Sequence, residues 1–215
     1  MNKETAPIAK PFLRGHFHQA AFFYAFGAWT VLLTKTNDSA EVIAVLLYGL
    51  GLLGLLGISS LYHRIHWQPS ARTWMRRLDH SAIFLLIAGT FAPICLLGMN
   101  EESGHKLLTI AFGLGALGIV QSVFWIHAPK WLSAILYVAM GWLAAPYIGE
   151  FKASLGLVNV VLLLVGGVIY TLGAVIYALK KPNPYPRVFG YHEIFHILVI
   201  IAAILHFIVV ASLVK

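Results

Sequence analysis

An all-α, polytopic membrane protein with seven transmembrane helices is the fold class this sequence predicts, and three observations predict it. Hydrophobic residues fill 60% of the 215 positions and charged residues only 11%, with a mean hydropathy of +0.82. A soluble domain carries about 25% charged residues, so this chain would expose far too much apolar surface to water. Apolar stretches near the roughly 20 residues needed to cross the hydrocarbon core recur seven times. The ionisable residues, finally, gather towards the ends of those stretches.

The spans are expected at roughly 17–34, 41–63, 78–98, 107–126, 131–149, 154–179 and 188–213. Polar or proline-bearing segments at 34–39, 68–77, 100–106 and 180–187 separate several of them. Little is left for an extramembrane domain, so a single membrane domain over 1–215 is expected. The N-terminal residues are polar and include prolines, and no short apolar run leads to a small-residue cleavage site, so no cleavable signal peptide is expected. Cys95 is the only cysteine, which excludes an intrachain disulfide and a thiolate cluster. Gly49, Gly51, Gly54 and Gly57, with Gly113, Gly115 and Gly118, are placed to allow close helix packing. Trp67, Trp125, Trp131 and Tyr185 suit an interfacial aromatic belt.

Orientation follows from the positive-inside bias. With seven spans, one side holds Lys3, Lys10, Arg14, Arg64, Arg72, Arg76, Arg77, Lys130, Lys180, Lys181 and Arg187, and the other Lys35, Lys106, Lys152 and Lys215. This places the N-terminus in the cytoplasm and the C-terminus outside, in a plasma (inner) membrane. The net charge of +7 then reflects topology and anionic headgroups. No basic patch interleaved with stacking aromatics points to nucleic acid.

Three segments hold polar groups that a bare span would avoid: Ser59-Ser60-Leu61-Tyr62-His63, Leu78-Asp79-His80-Ser81, and His192-Glu193-Ile194-Phe195-His196. The topology brings all three to cytoplasmic helix ends. His192 and His196, four apart, share one helix face and can offer two imidazoles to one ion. His63 would complete three nitrogen ligands and leave a fourth tetrahedral position for water. Ser59, four before His63, is a candidate to orient that histidine or the water. Asp79 could bind the water or steady a ligand, since a membrane carboxylate is costly unless a cation is near. The plainer alternative is that these histidines face headgroups and that Asp79 pairs with Arg76 or Arg77. The run from His192 to His196 also matches H-E-x-x-H, in which Glu193 would be a metalloprotease general base. Glu193 lies about 100° round the helix from His192, so it can face either the site or a neighbouring helix. His206 is on nearly the same face as His192 but about 21 Å further along, which fits a place in the bundle interior. His16, His18, His66, His105 and His127 fall near the interfaces.

Taken with Ala88-Gly89-Thr90-Phe91-Ala92-Pro93 and His206-Phe207, these segments resemble the hemolysin III family, and more distantly the progestin and adipoQ receptors and the alkaline ceramidases. The resemblance runs from span two to span seven. It implies seven helices around a zinc ion held by the positions matching His63, His192 and His196. It also implies a water near Asp79, with Ser59 at the family's serine position. Glu193 departs from the Gln of the adiponectin receptors, so no role is carried over to it.

Two functional readings follow. One is a zinc-dependent hydrolase of a membrane lipid amide or ester, with the metal polarising the carbonyl and activating water. The other is a non-enzymatic protein with a structural zinc, either a sensor in lipid homeostasis or a cytolysin. An intramembrane metalloprotease ranks behind both. Membrane lipids are the expected substrate or ligand, and oligomeric state is not legible.

Overall fold

The computed structural model describes residues 10–214; Lys3 and Lys215, used in the charge count, lie outside them. Among the described residues there are seven α-helices: α1 (His16–Leu33), α2 (Ser39–Arg64), α3 (Pro69–Gly98), α4 (Glu101–Phe124), α5 (Lys130–Gly141), α6 (Ile148–Leu179) and α7 (Tyr191–Leu213). A 3₁₀ turn (Trp142–Tyr147) joins α5 to α6. Five helical stretches among the described residues are long and apolar enough to cross a membrane, one of them the continuous run from Lys130 to Leu179. The first turn of α1 is less apolar, with His16, His18 and Gln19. Leu117 is 65% exposed and Val158 73%, a surface suited to lipid rather than water. The protein is thus an all-α, polytopic membrane protein.

Helix boundaries follow local chemistry. Asp38 caps α2 by accepting the Glu41 N–H at 2.9 Å, and Asn100 caps α4 by accepting that of Ser103 at 3.0 Å. Pro69 opens α3 at a position where its missing N–H costs nothing. Consequently α3 starts nine residues before the expected 78, and most of the expected connector 68–77 is helix. The helix breakers between 130 and 160 also shift the pattern. Pro146 lies inside the 3₁₀ turn, α6 already begins at Ile148, and the helix geometry breaks at Gly156, where φ is 79°.

Helix α3 packs closely between α2 and α4, α1 lies on α2, and α6 pairs with α7. One apolar core joins residues of α1, α2, α3 and α7, including Leu32, Tyr48, Leu86 and Val210. A second, around Phe91, Leu107 and Phe151, joins α3, α4 and α6, and takes in the buried Cys95. The expected glycine contacts hold in part. A Cβ at Gly51 would stand 2.7 Å from the Leu85 carbonyl oxygen, whereas one at Gly113 would meet nothing within 4 Å.

Candidate metal centre

The site begins where α2 stops. His63 sits in the last turn of α2, buried, just before the chain turns extended at Ile65. The segment before α1 closes over it. Gly15 has φ 83°, and a Cβ there would come within 2.8 Å of the His63 Cβ, so glycine is needed on both counts. The N–H groups of Phe12 and Leu13 donate to the carbonyls of Arg187 and Val188 at 2.9 and 3.1 Å, which docks this segment on the α6–α7 connection. Arg14 is thereby delivered to Glu193, and the two form an ion pair. The other Glu193 oxygen accepts the Gly190 N–H at 2.8 Å, capping α7. This anchoring fixes the first turns of α7, which carry His192 and His196.

The three histidines meet. Nε2 of His63 and Nε2 of His192 are 3.1 Å apart, and the ring centroids of His192 and His196 are separated by 4.5 Å. Ligand atoms from His63, His192 and His196 all lie within 4.8 Å of one another, so the group could hold a metal ion. Two tetrahedral ligands at about 2.0–2.1 Å from zinc stand about 3.3 Å apart, close to the His63–His192 separation. Nδ1 of His196 is buried without a hydrogen-bond partner among the described residues. A shared cation offsets the cost of burying unsatisfied imidazoles in this way. The donor set fits a metal.

Asp79 and Ser59 join the cluster. Asp79 Oδ2 is 3.9 Å from His63 Nε2, and Ser59 lines the same cavity as both. No ion pair links Asp79 to Arg76 or Arg77 among the described residues; Arg77 lies instead over the Trp74 ring, 4.5 Å from its centroid. Glu193 is not brought to the histidines, because both its oxygens are engaged at Arg14 and Gly190. A further residue escaped the sequence reading. His18 of α1 is buried and stacks on His196, with ring centroids 3.8 Å apart and planes 11° from parallel. Neither His18 nitrogen has a partner among the described residues. No i,i+4 partner on α1 marks it, so only the packing of α1 against α7 could have revealed it.

The cluster lines a cavity of about 520 Å³. Its mouth carries Lys10, Arg14, Arg72, Arg76 and Lys130, and its depth is walled by apolar residues such as Phe91, Ile94, Val160 and Leu164. His206 reaches its far part, as expected, with Nε2 donating to the Leu163 carbonyl at 3.2 Å and the ring beside Tyr170. A smaller apolar groove between α5 and α6 shares Val138, Thr171 and Ala174 with this cavity.

Fold and site together define an integral membrane protein with a buried three-histidine group that could hold a metal ion. The chain belongs to the family described as Haemolysin-III related, which it matches over residues 7–207. It is 35% identical to Hemolysin-3 of Bacillus cereus over 137 residues, 64% of this chain and 62% of that protein. To the Hemolysin-3 homolog of Bacillus subtilis (strain 168) it is 32% identical over 166 residues, 77% of this chain and 75% of the relative. A human protein, Monocyte to macrophage differentiation factor, is 29% identical over 185 residues, 83% of this chain and 74% of its own length.

Proposed function

We propose that this protein is a zinc-dependent hydrolase that cleaves an amide or ester bond of a membrane lipid and serves membrane lipid homeostasis. In this reading one seven-span domain sits in the plasma (inner) membrane with its N-terminus in the cytoplasm, and lipids are its partners. The observation that carries the reading is the cavity. The histidine cluster stands in its wall, between a polar mouth and an apolar depth, and the whole cavity of about 520 Å³ is within the range of ligand pockets. An ion that merely ties helices together needs no such space beside it.

Zinc suits an all-imidazole donor set, and three protein ligands are what catalytic sites supply. When bound, the ion polarises a carbonyl as a Lewis acid and activates water. The protein's own groups handle the proton. Asp79 accepts it from the attacking water and returns it to the departing amine or alcohol oxygen, leaving a fatty acid. Ser59, which lines the cavity with Asp79, holds the carboxylate for that exchange, and His18 keeps the plane of His196 by stacking on it. Glu193 anchors α7 rather than moving protons, so the H-E-x-x-H protease reading draws no support from this geometry.

The test is release of fatty acid from long-chain amides and esters by purified, zinc-loaded protein. Release is expected from the wild type and not from the His63→Ala/His196→Ala double variant. A second reading is a non-enzymatic sensor, or a cytolysin as the names of the Bacillus relatives have it. It is favoured by the way His63, Asp79 and His192 tie α2, α3 and α7 together at one level. It prevails if the wild type turns over none of these lipids and chelation simply unfolds it.

A further inference from the structure

Five cations from three elements converge on one opening. Lys10 and Arg14 come from the segment before α1, Arg72 and Arg76 from one face of α3, and Lys130 from the start of α5; Asp79 is the only carboxylate lining the same cavity among the described residues. The positive-inside bias spreads basic residues over a whole face, and it accounts for Arg64, Lys180, Lys181 and Arg187, which do not line the cavity. It gives no reason for five to surround a single mouth.

These cations are poorly neutralised. Only Arg14 has a carboxylate partner among the described residues, Glu193. Partial burial, then the nearby charges of Arg72 and Arg14, hold the Lys10 ammonium below its usual range. Lys130 reaches Tyr191 Oη at 3.2 Å and lies 4.4 Å from the Tyr177 ring centroid, both residues of the cavity wall. Like charges held together destabilise a fold unless an anion joins them. Guanidinium groups match phosphate oxygens in pairs, and lysine adds a point charge.

We propose that the cavity takes a lipid with an anionic, phosphate-bearing headgroup, held at the mouth by Lys10, Arg72, Arg76 and Lys130. The acyl chain then lies in the apolar depth and its carbonyl beside the histidine cluster. This deepens the hydrolase reading by naming its substrate class, and rests on it for the position of the carbonyl.

The experiment compares binding of a monoacylglycerol phosphate and of the monoacylglycerol with the same chain, which differ only by the phosphate. The full-length protein is held in discs of neutral lipid. The phosphate lipid should bind at least about tenfold more tightly, since several cation–phosphate contacts each add a few-fold. That preference should shrink as ionic strength rises, and should be lost in the Lys10→Gln/Arg72→Gln/Arg76→Gln variant while monoacylglycerol still binds. Equal affinity for the two lipids, a preference indifferent to salt, or one that survives the triple substitution overturns the proposal. So does competition by glycerol phosphate at the concentration of the lipid, which would mark a site for soluble phosphate. The salt series on the wild type decides the matter even if the variant is unstable. Binding is read without turnover, so a headgroup preference in a protein that hydrolyses nothing upholds this site and counts against the catalytic reading alone.

Discussion

A buried imidazole without a partner is costly, and at the cavity wall the three histidines have chiefly one another. Two neutral imidazoles hold zinc far less well than three. His63→Ala, or alanine at His192 or His196, should therefore strip most of the metal, measured as zinc per purified chain. Full occupancy in the double variant would move the site elsewhere. Asp79→Asn keeps the shape and the hydrogen-bonding capacity but deletes the charge. It should retain zinc and the wild-type melting temperature while lowering lipid turnover about 10²–10⁴-fold, the usual contribution of a proton-transfer group. Wild-type turnover with zinc bound would remove Asp79 from the reaction. The i,i+4 spacing made His192 and His196 legible in the sequence, and the membrane cost of a lone carboxylate did the same for Asp79. His18 left no such trace. The engagement of Glu193 was equally hidden, because its partner Arg14 lies 179 positions away in the chain.

Hydropathy located the helices of the five long apolar stretches, because a span must be apolar and about 20 residues long whatever it packs against. It did not locate their ends. Charged residues at 72, 76 and 77 read as a connector, yet Pro69 starts α3 before them, and the first turns of that helix present Arg72 and Arg76 to the cavity. Glycine patterns were legible only as a class. Gly51 and Gly113 look alike in sequence, but only Gly51 faces a neighbouring backbone, at Leu85. Gly51→Ala should push α2 from α3 and cost about 1–3 kcal/mol, as overpacking does. Gly113→Ala should be neutral or add about 0.5–1 kcal/mol, since it removes a helix glycine without meeting anything. Thermal unfolding of both variants in the same detergent checks the pair. A Gly51→Ala protein as stable as wild type would show that the two helices can separate freely.

At the scale of the whole molecule, the helix ends sort into two groups by their contacts. The start of α1 meets the end of α2 through Arg64 and His16, and the segment before it meets the α6–α7 connection through Phe12 and Arg187. Lys130 at the start of α5 reaches Tyr191 at the start of α7. At other helix ends, Glu150 accepts hydrogen bonds from Asn100 and Ser103, and Asn159 donates to Ser212 near the end of α7. The first group contains most of the basic residues and the histidine cluster. Positive charge near span ends is retained in the cytoplasm, and the rule counts Lys and Arg rather than net charge. The eleven-to-four split should thus place the first group inside and the C-terminus outside. A reporter that is active only after export, fused after Lys215, should be active, and the same reporter inserted between Lys180 and Pro182 should be silent. A reporter that works only in the cytoplasm should show the opposite pattern. Activity of that cytoplasmic reporter at the C-terminus would invert the topology or remove one crossing. It would also move the cationic mouth to the outer leaflet, or leave one helix lying outside the bilayer core, α1 being the long helix that is not among the five apolar stretches.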